Sequence, residues 1–210
     1  MRKENLYKNF WKNGYVILKN YISKKEINKI FNQINDLTNI SLNEKSSLKN
    51  NKDLDLKYLK LKNKSPKLKS HIYDLSKYCD SLVEIASSKK FLDISKSLLK
   101  SKTVFIDTPQ VRVDHPKEKT NLPQHQELNQ ISKDVITFWV PLVNINKNNG
   151  GIYFRPKTHE LGHVKYKDYH LSATAAGQKR VKILNKLFNK KENKKYKKIS
   201  PKLNAGDVVI

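Results

Sequence analysis

Apolar positions recur at helical spacing through the first hundred residues and change to β-type runs after them. Ser23-Lys24-Lys25-Glu26 has the form of a capping box, Ile22 and Ile27 suit a hydrophobic staple, and Ile27, Ile30, Phe31, Ile34 and Leu37 mark one helical face. This predicts a helix over residues 23–39. Ahead of it, Asn13-Gly14 followed by Tyr15-Val16-Ile17-Leu18 reads as a turn and a short strand. Residues 40–70 are polar and lysine-rich without a sustained period, so a loop with at most one helical turn is expected. Ile72, Leu75, Cys79, Leu82, Val83 and Ala86 predict a second amphipathic helix over residues 71–87, and residues 91–99 a third.

Past Lys102 the runs at 103–113, 135–143, 151–154 and 208–210 are β-branched or aromatic and bounded by Pro, Gly and Asn, which predicts strands. Asn148-Asn149-Gly150-Gly151 is a turn signal for a hairpin between two of them. In the basic stretch 179–202, Leu184, Leu187 and Phe188 predict a short helix within a surface loop. The 210 residues are about one domain long. The expectation is a single α+β domain, with a helical layer over 1–102 and a β-rich part over 103–210.

Composition alters this picture in three places. No stretch has the ~18 consecutive apolar residues of a membrane helix, and the opening twenty residues lack the apolar centre of a signal peptide, so the chain reads as soluble and cytoplasmic. The single cysteine, Cys79, leaves neither a disulfide framework nor a cysteine-based zinc cluster, and it reads as a core residue. The formal charge of +24 points at first to a polyanion. All of the 43 basic residues except Arg2, Arg112, Arg155 and Arg180 are lysine, however, and they are scattered through every segment. That is a solvated, non-specific field, so neither a specific nucleic acid nor a membrane is expected as a partner.

The densest chemical signal is Leu122-Pro123-Gln124-His125-Gln126-Glu127. In an extended segment alternate side chains share a face, which lets His125 and Glu127 reach one metal ion. Two such ligands and a distant histidine make the facial triad of non-haem Fe(II) oxygenases. A rival motif, His159-Glu160-Leu161-Gly162-His163, has the letters of the zinc peptidase signature. Pro156, Gly162 and the flanking lysines disfavour the helix it needs, which leaves a zinc metallopeptidase as a remote alternative.

The wider pattern resembles the phytanoyl-CoA dioxygenase family of Fe(II)- and 2-oxoglutarate-dependent oxygenases over nearly the whole chain. Its motifs are Phe10-Trp11-Lys12-Asn13-Gly14-Tyr15-Val16-Ile17-Leu18, Gln110-Val111-Arg112-Val113-Asp114, His125-Gln126-Glu127 and the stretch at 135–142 with Trp139. Further along come Asn148-Asn149-Gly150-Gly151-Ile152, Phe154-Arg155-Pro156-Lys157-Thr158-His159 and Gly206-Asp207-Val208-Val209. The resemblance implies a double-stranded β-helix (a cupin-like jelly roll) with an N-terminal helical layer, and oxidative hydroxylation of a small organic substrate using molecular oxygen. It also implies His125 and Glu127 as metal ligands, with glutamate standing where the family has aspartate. Arg112, Thr137 and Trp139 then become candidates for contact with 2-oxoglutarate, and Gln110 and Asp114 for contact with substrate. The plainer readings are an ion pair for Arg112 and a core position for Trp139. The family's distal histidine and 2-oxoglutarate-binding arginine fall beyond Ile210, so the chain reads as C-terminally incomplete, binding metal weakly and not turning over. A non-catalytic or degenerate binding homologue is the main alternative.

Overall fold

In the computed structural model, which describes residues 3–48, 50–113, 126, 135–146, 149–162 and 190–210, the expected cap at Ser23 forms and sets the first long helix. The Ser23 hydroxyl accepts from the Glu26 N–H at 3.2 Å, and the Ser23 N–H donates to the Glu26 carboxylate at 2.7 Å. Helix α2 (Lys24–Leu42) follows, with Ile27, Ile30 and Ile34 buried, and ends at Asn43 in the left-handed region. We label the other helices α1 (Lys3–Asn13), α3 (Asn51–Lys64), α4 (Pro66–Ser76), α5 (Asp80–Ala86), α6 (Lys89–Leu99) and α7 (Lys190–Lys195). The strands are β1 (Ile17–Leu18) and β2 (Val208–Val209).

The chain divides into two compact units, one of residues 20–113 and one of residues 1–19 with 114–210. In the first, α3 and α4 occupy what was expected to be a loop. Asn50 and Asp53 form a second capping box, Leu54, Tyr58 and Leu61 bury one face of α3, and Pro66 opens α4 at a position where its missing N–H costs nothing. A polar seam joins α3 to α2. The Lys57 ammonium donates to the Asn35 side-chain carbonyl, and at 3.0 Å each to the Asn39 side-chain carbonyl and the Ser46 main-chain carbonyl.

The helix expected over 71–87 is instead two, α4 and α5, broken at residues 77–79. Cys79 is buried at the N-cap of α5; burial, with the Asp80 charge beside it, pushes its thiol up. Gln33 of α2 supplies the missing cap, its side-chain carbonyl accepting from the Ser81 N–H at 3.2 Å. The break leaves Leu75 and Val83 exposed while Ile72 and Cys79 stay in the core.

The other unit is organised around buried Leu203 and its buried 206–210 segment. β2 pairs antiparallel with β1 in the register Ile17↔Val209 and Leu18↔Val208, and Val16 and Ile210 extend the ladder through two backbone hydrogen bonds of 3.0 and 2.9 Å. On its other edge, Val209 exchanges both backbone hydrogen bonds with Trp139, at 2.8 and 2.9 Å. Asp207, fully buried, accepts from the Lys19 ammonium at 2.7 Å and the Asn204 N–H at 2.8 Å.

Among the described residues the chain is mostly helical, and the expected mainly β core of double-stranded β-helix type is not formed. Among the described residues the only ladder is β1–β2, accompanied by isolated bridges at Trp139↔Val209, Ile145↔Leu203 and Phe154↔Ile199. The physical reason lies in what a strand needs. A β-branched run becomes one only where a second edge supplies N–H and C=O partners along its length. Residues 135–143 and 151–154 form one isolated bridge each, and the first adds only the Pro141 carbonyl accepting from the Gly206 N–H at 3.0 Å. In 103–113 the Val111 N–H turns to the Ser76 hydroxyl at 3.2 Å, and Phe105 is 96% exposed. Within the hairpin signal, Asn149 accepts from the Asn146 N–H at 2.7 Å and donates to the Asn144 carbonyl at 2.6 Å. Asn148, Leu184, Leu187 and Phe188 lie outside the described residues.

Glu26 makes the energetics of the α2 cap testable. Burial alone would raise its carboxyl, but hydrogen bonds from Lys90 and from the Ser23 N–H and hydroxyl, with the Lys90 charge, hold it at about 2, below its ordinary 4.5. A lowered folded-state value means stability present above pH 4.5 and lost as the pH falls towards 2. Glu26→Gln keeps a capping-box side chain but loses the charge facing Lys90, and should therefore cost up to about 1 kcal/mol in urea unfolding at pH 7. The difference from the unaltered protein should shrink as the pH is lowered through that window.

Candidate functional site

The segment Phe154–Gly162 is where local chemistry and long-range contact meet. Phe154 bridges to Ile199, and Arg155 reaches the carbonyl of buried Tyr196 and, at 2.6 Å, the Asn193 side-chain carbonyl. A 3-10 turn over Thr158–Leu161 follows, entered through Lys157 in the left-handed region and closed by Gly162.

This turn caps α1. A helix leaves its last carbonyls without intrahelical partners, and here the Lys157 N–H donates to the Asn13 carbonyl at 2.8 Å. His159 Nε2 lies 2.8 Å from the Trp11 carbonyl. A carbonyl only accepts, so the imidazole carries its proton on Nε2 and leaves Nδ1 as a lone pair. Nδ1 is buried without a hydrogen-bond partner among the described residues, directly beneath Gly14, and the Trp11 ring lies alongside the imidazole at 6.3 Å between centroids. Gly14 sits at φ +79°, so the chain turns out of α1 at a residue with neither a Cβ clash nor a backbone penalty.

These contacts weigh against the peptidase motif. It needs an α-helix that puts the first and fifth residues on one face, whereas His159-Glu160-Leu161 lie in a single 3-10 turn and Gly162 leaves the helical path at φ 65°, ψ −152°. His159 gives its Nε2 to a carbonyl and its Nδ1 to packing, so neither nitrogen is presented as a ligand. Glu160 is exposed, and His163 lies outside the described residues.

His125, Glu127 and Asp114 also lie outside the described residues, but Gln126 between the two ligand candidates is placed. Its side-chain amide donates to the Gly162 carbonyl at 2.9 Å. Thr137 is exposed, and Trp139 is half-buried with its backbone on Val209. Gln110 and Arg112 are exposed members of the 20–113 unit, and the Gln110 side-chain carbonyl accepts from the Tyr73 hydroxyl. Sequence reasoning missed the capping role of Lys157 and His159. The one available signal was Asn13-Gly14, which announced a turn but not its distant partner.

A family model for Phytanoyl-CoA dioxygenase (PhyH) matches residues 10–210, all but the first nine positions. The chain belongs to the phytanoyl-CoA dioxygenase family. The match begins inside α1, includes the turn that caps it and runs through β2. Among curated proteins and among solved structures, nothing matches this phytanoyl-CoA dioxygenase family member. Among the described residues no group of three or more His, Cys, Asp or Glu side chains is arranged to hold a metal, and no helix is long and apolar enough to cross a membrane.

The α1 cap predicts a coupled pair of variants. Gly14→Ala forces a Cβ into His159 Nδ1 and a non-glycine residue into the left-handed region, and should lose more than about 1 kcal/mol in denaturant unfolding. In a His159→Ala background the clash is gone and only the backbone strain remains. The two losses should therefore fall short of adding, and strict additivity contradicts the contact.

Proposed function

We propose that this family member is an Fe(II)- and 2-oxoglutarate-dependent oxygenase that hydroxylates a small organic molecule, with His125 and Glu127 as protein ligands to the iron. Membership over residues 10–210 carries the proposal. The donor chemistry fits: an imidazole nitrogen and a carboxylate oxygen, two residues apart, are the N/O set that non-haem Fe(II) takes with positions left open. The rival histidine pair is weakened by the engagement of His159 with the Trp11 carbonyl.

When bound, iron and 2-oxoglutarate supply the oxidation: the keto acid is decarboxylated to succinate, one atom of O₂ enters the succinate carboxylate and the other the substrate. The chain's own part is to hold the ligands, orient the substrate and exclude water. In this reading Arg112 offers a guanidinium to a carboxylate, Thr137 and Trp139 flank the co-substrate, and Gln110 and Asp114 contact the substrate.

Anaerobic Fe(II) titration of the full chain, followed by equilibrium dialysis, tests the proposal. Binding should be removed by His125→Ala and by Glu127→Ala and left unchanged by His159→Ala. Binding insensitive to the first two substitutions overturns it.

A further inference from the structure

We infer that the seam between α2, α3 and the chain at Ser46 is a binding site for a primary ammonium group, filled in the resting protein by the side chain of Lys57. The reasoning starts from an irregularity in α2. Its buried stripe of Ile27, Ile30 and Ile34 is continued by two asparagines, Asn35 and Asn39, that are only 4% and 9% exposed. Burying a carboxamide is unfavourable unless its donors and its acceptor are both met.

Both amides are met in the same sense. The Asn35 and Asn39 side-chain N–H groups donate to the Ser46 main-chain carbonyl at 3.0 and 2.8 Å, which leaves both side-chain carbonyls as acceptors. The Ser46 hydroxyl approaches the Asn39 side-chain carbonyl at 3.5 Å. On α3, Lys57 follows buried Leu54 by three positions and precedes buried Leu61 by four, so it stands beside the face that packs inward. Its ammonium donates to the Asn35 side-chain carbonyl, and at 3.0 Å each to the Asn39 side-chain carbonyl and the Ser46 main-chain carbonyl. An ammonium has three N–H donors and no acceptor, and three oxygens converge on this one. Turning either amide over would set its NH₂ against the ammonium, so the arrangement selects a cation that only donates.

The oxygens also select the charge. All three are neutral carbonyls, whereas a divalent ion such as calcium takes about six to eight oxygens, carboxylates among them. The Glu44 carboxylate is paired with Lys60 instead. The fitting ligand is a small monovalent ammonium, which Lys57 supplies from within the chain. Occupancy also sets the path after Asn43, because the Ser46 carbonyl accepts from Asn35, Asn39 and Lys57 together.

The test is chemical rescue in the full chain. Lys57→Ala empties the site and should speed hydrogen exchange of the main-chain amides of residues 43–48 about ten- to a hundredfold, the range expected for hydrogen bonds from a charged donor. Methylammonium chloride reproduces the end of the lost side chain and should slow that exchange again in a saturable manner. Tetramethylammonium chloride at the same concentration, with the same charge and no N–H, should not. Lys57→Met keeps the stem without the charge and should exchange fast with no rescue, because its side chain fills the space the free ammonium needs. If Lys57→Ala is unfolded in plain buffer, saturable recovery of its circular dichroism by methylammonium alone is the supporting result. Exchange unchanged in Lys57→Ala, recovery produced equally by both salts, or no recovery with methylammonium overturns the site.

Discussion

The backbone of Val208–Ile210 is the constraint on which its unit depends. These residues are buried, so their N–H and C=O groups must find partners inside the protein, and they find them on two sides: Val16–Leu18 on one edge and Trp139 on the other. The buried Asp207 carboxylate fixes the entry to this segment by holding Lys19 and the Asn204 N–H together. A charge in that position is tolerable because it is paired and hydrogen-bonded; without Lys19 it would be a desolvated anion. Residues 16–19 are thus joined to the end of the chain, and α1 is delivered to the turn at 157–162 by the same connection.

That turn has a double role. It supplies the donors that the C-terminus of α1 lacks, and its Gly162 carbonyl accepts from Gln126. A histidine that the letters of the sequence offered to zinc proves to be a helix cap, since one nitrogen is committed to a carbonyl and the other is buried under a glycine. Capping, turn closure and the anchoring of Gln126 are consecutive hydrogen bonds in one short stretch of chain.

Local signals were legible and partner-dependent ones were not. The start of α2 could be read because cap, staple and apolar stripe all lie within a few residues of each other. Helix α3 was hidden because Leu54, Tyr58 and Leu61 are diluted by lysines, although Asn50 and Asp53 carried a cap signal as good as that of Ser23. The strands were over-read after Lys102. Thr103 to Val113 has β-type side chains, but whether they form a strand is decided by an edge elsewhere in the chain, and Phe105 and Ile106 remain exposed instead. At the site, His125 and Glu127 could be proposed from sequence because metal-ligand types and spacing are local. The contacts of His159 and Gln126 were not, because each depends on a residue far away in sequence.

Family membership over residues 10–210 and the donor chemistry of the sequence carry the central proposal, that this chain holds iron through His125 and Glu127. X-ray absorption at the iron edge of the anaerobically Fe(II)-loaded protein addresses it directly. The account predicts a first shell of nitrogen and oxygen only, with imidazole scattering that diminishes in His125→Ala. Sulfur in the first shell, or imidazole scattering untouched by that substitution, would contradict it.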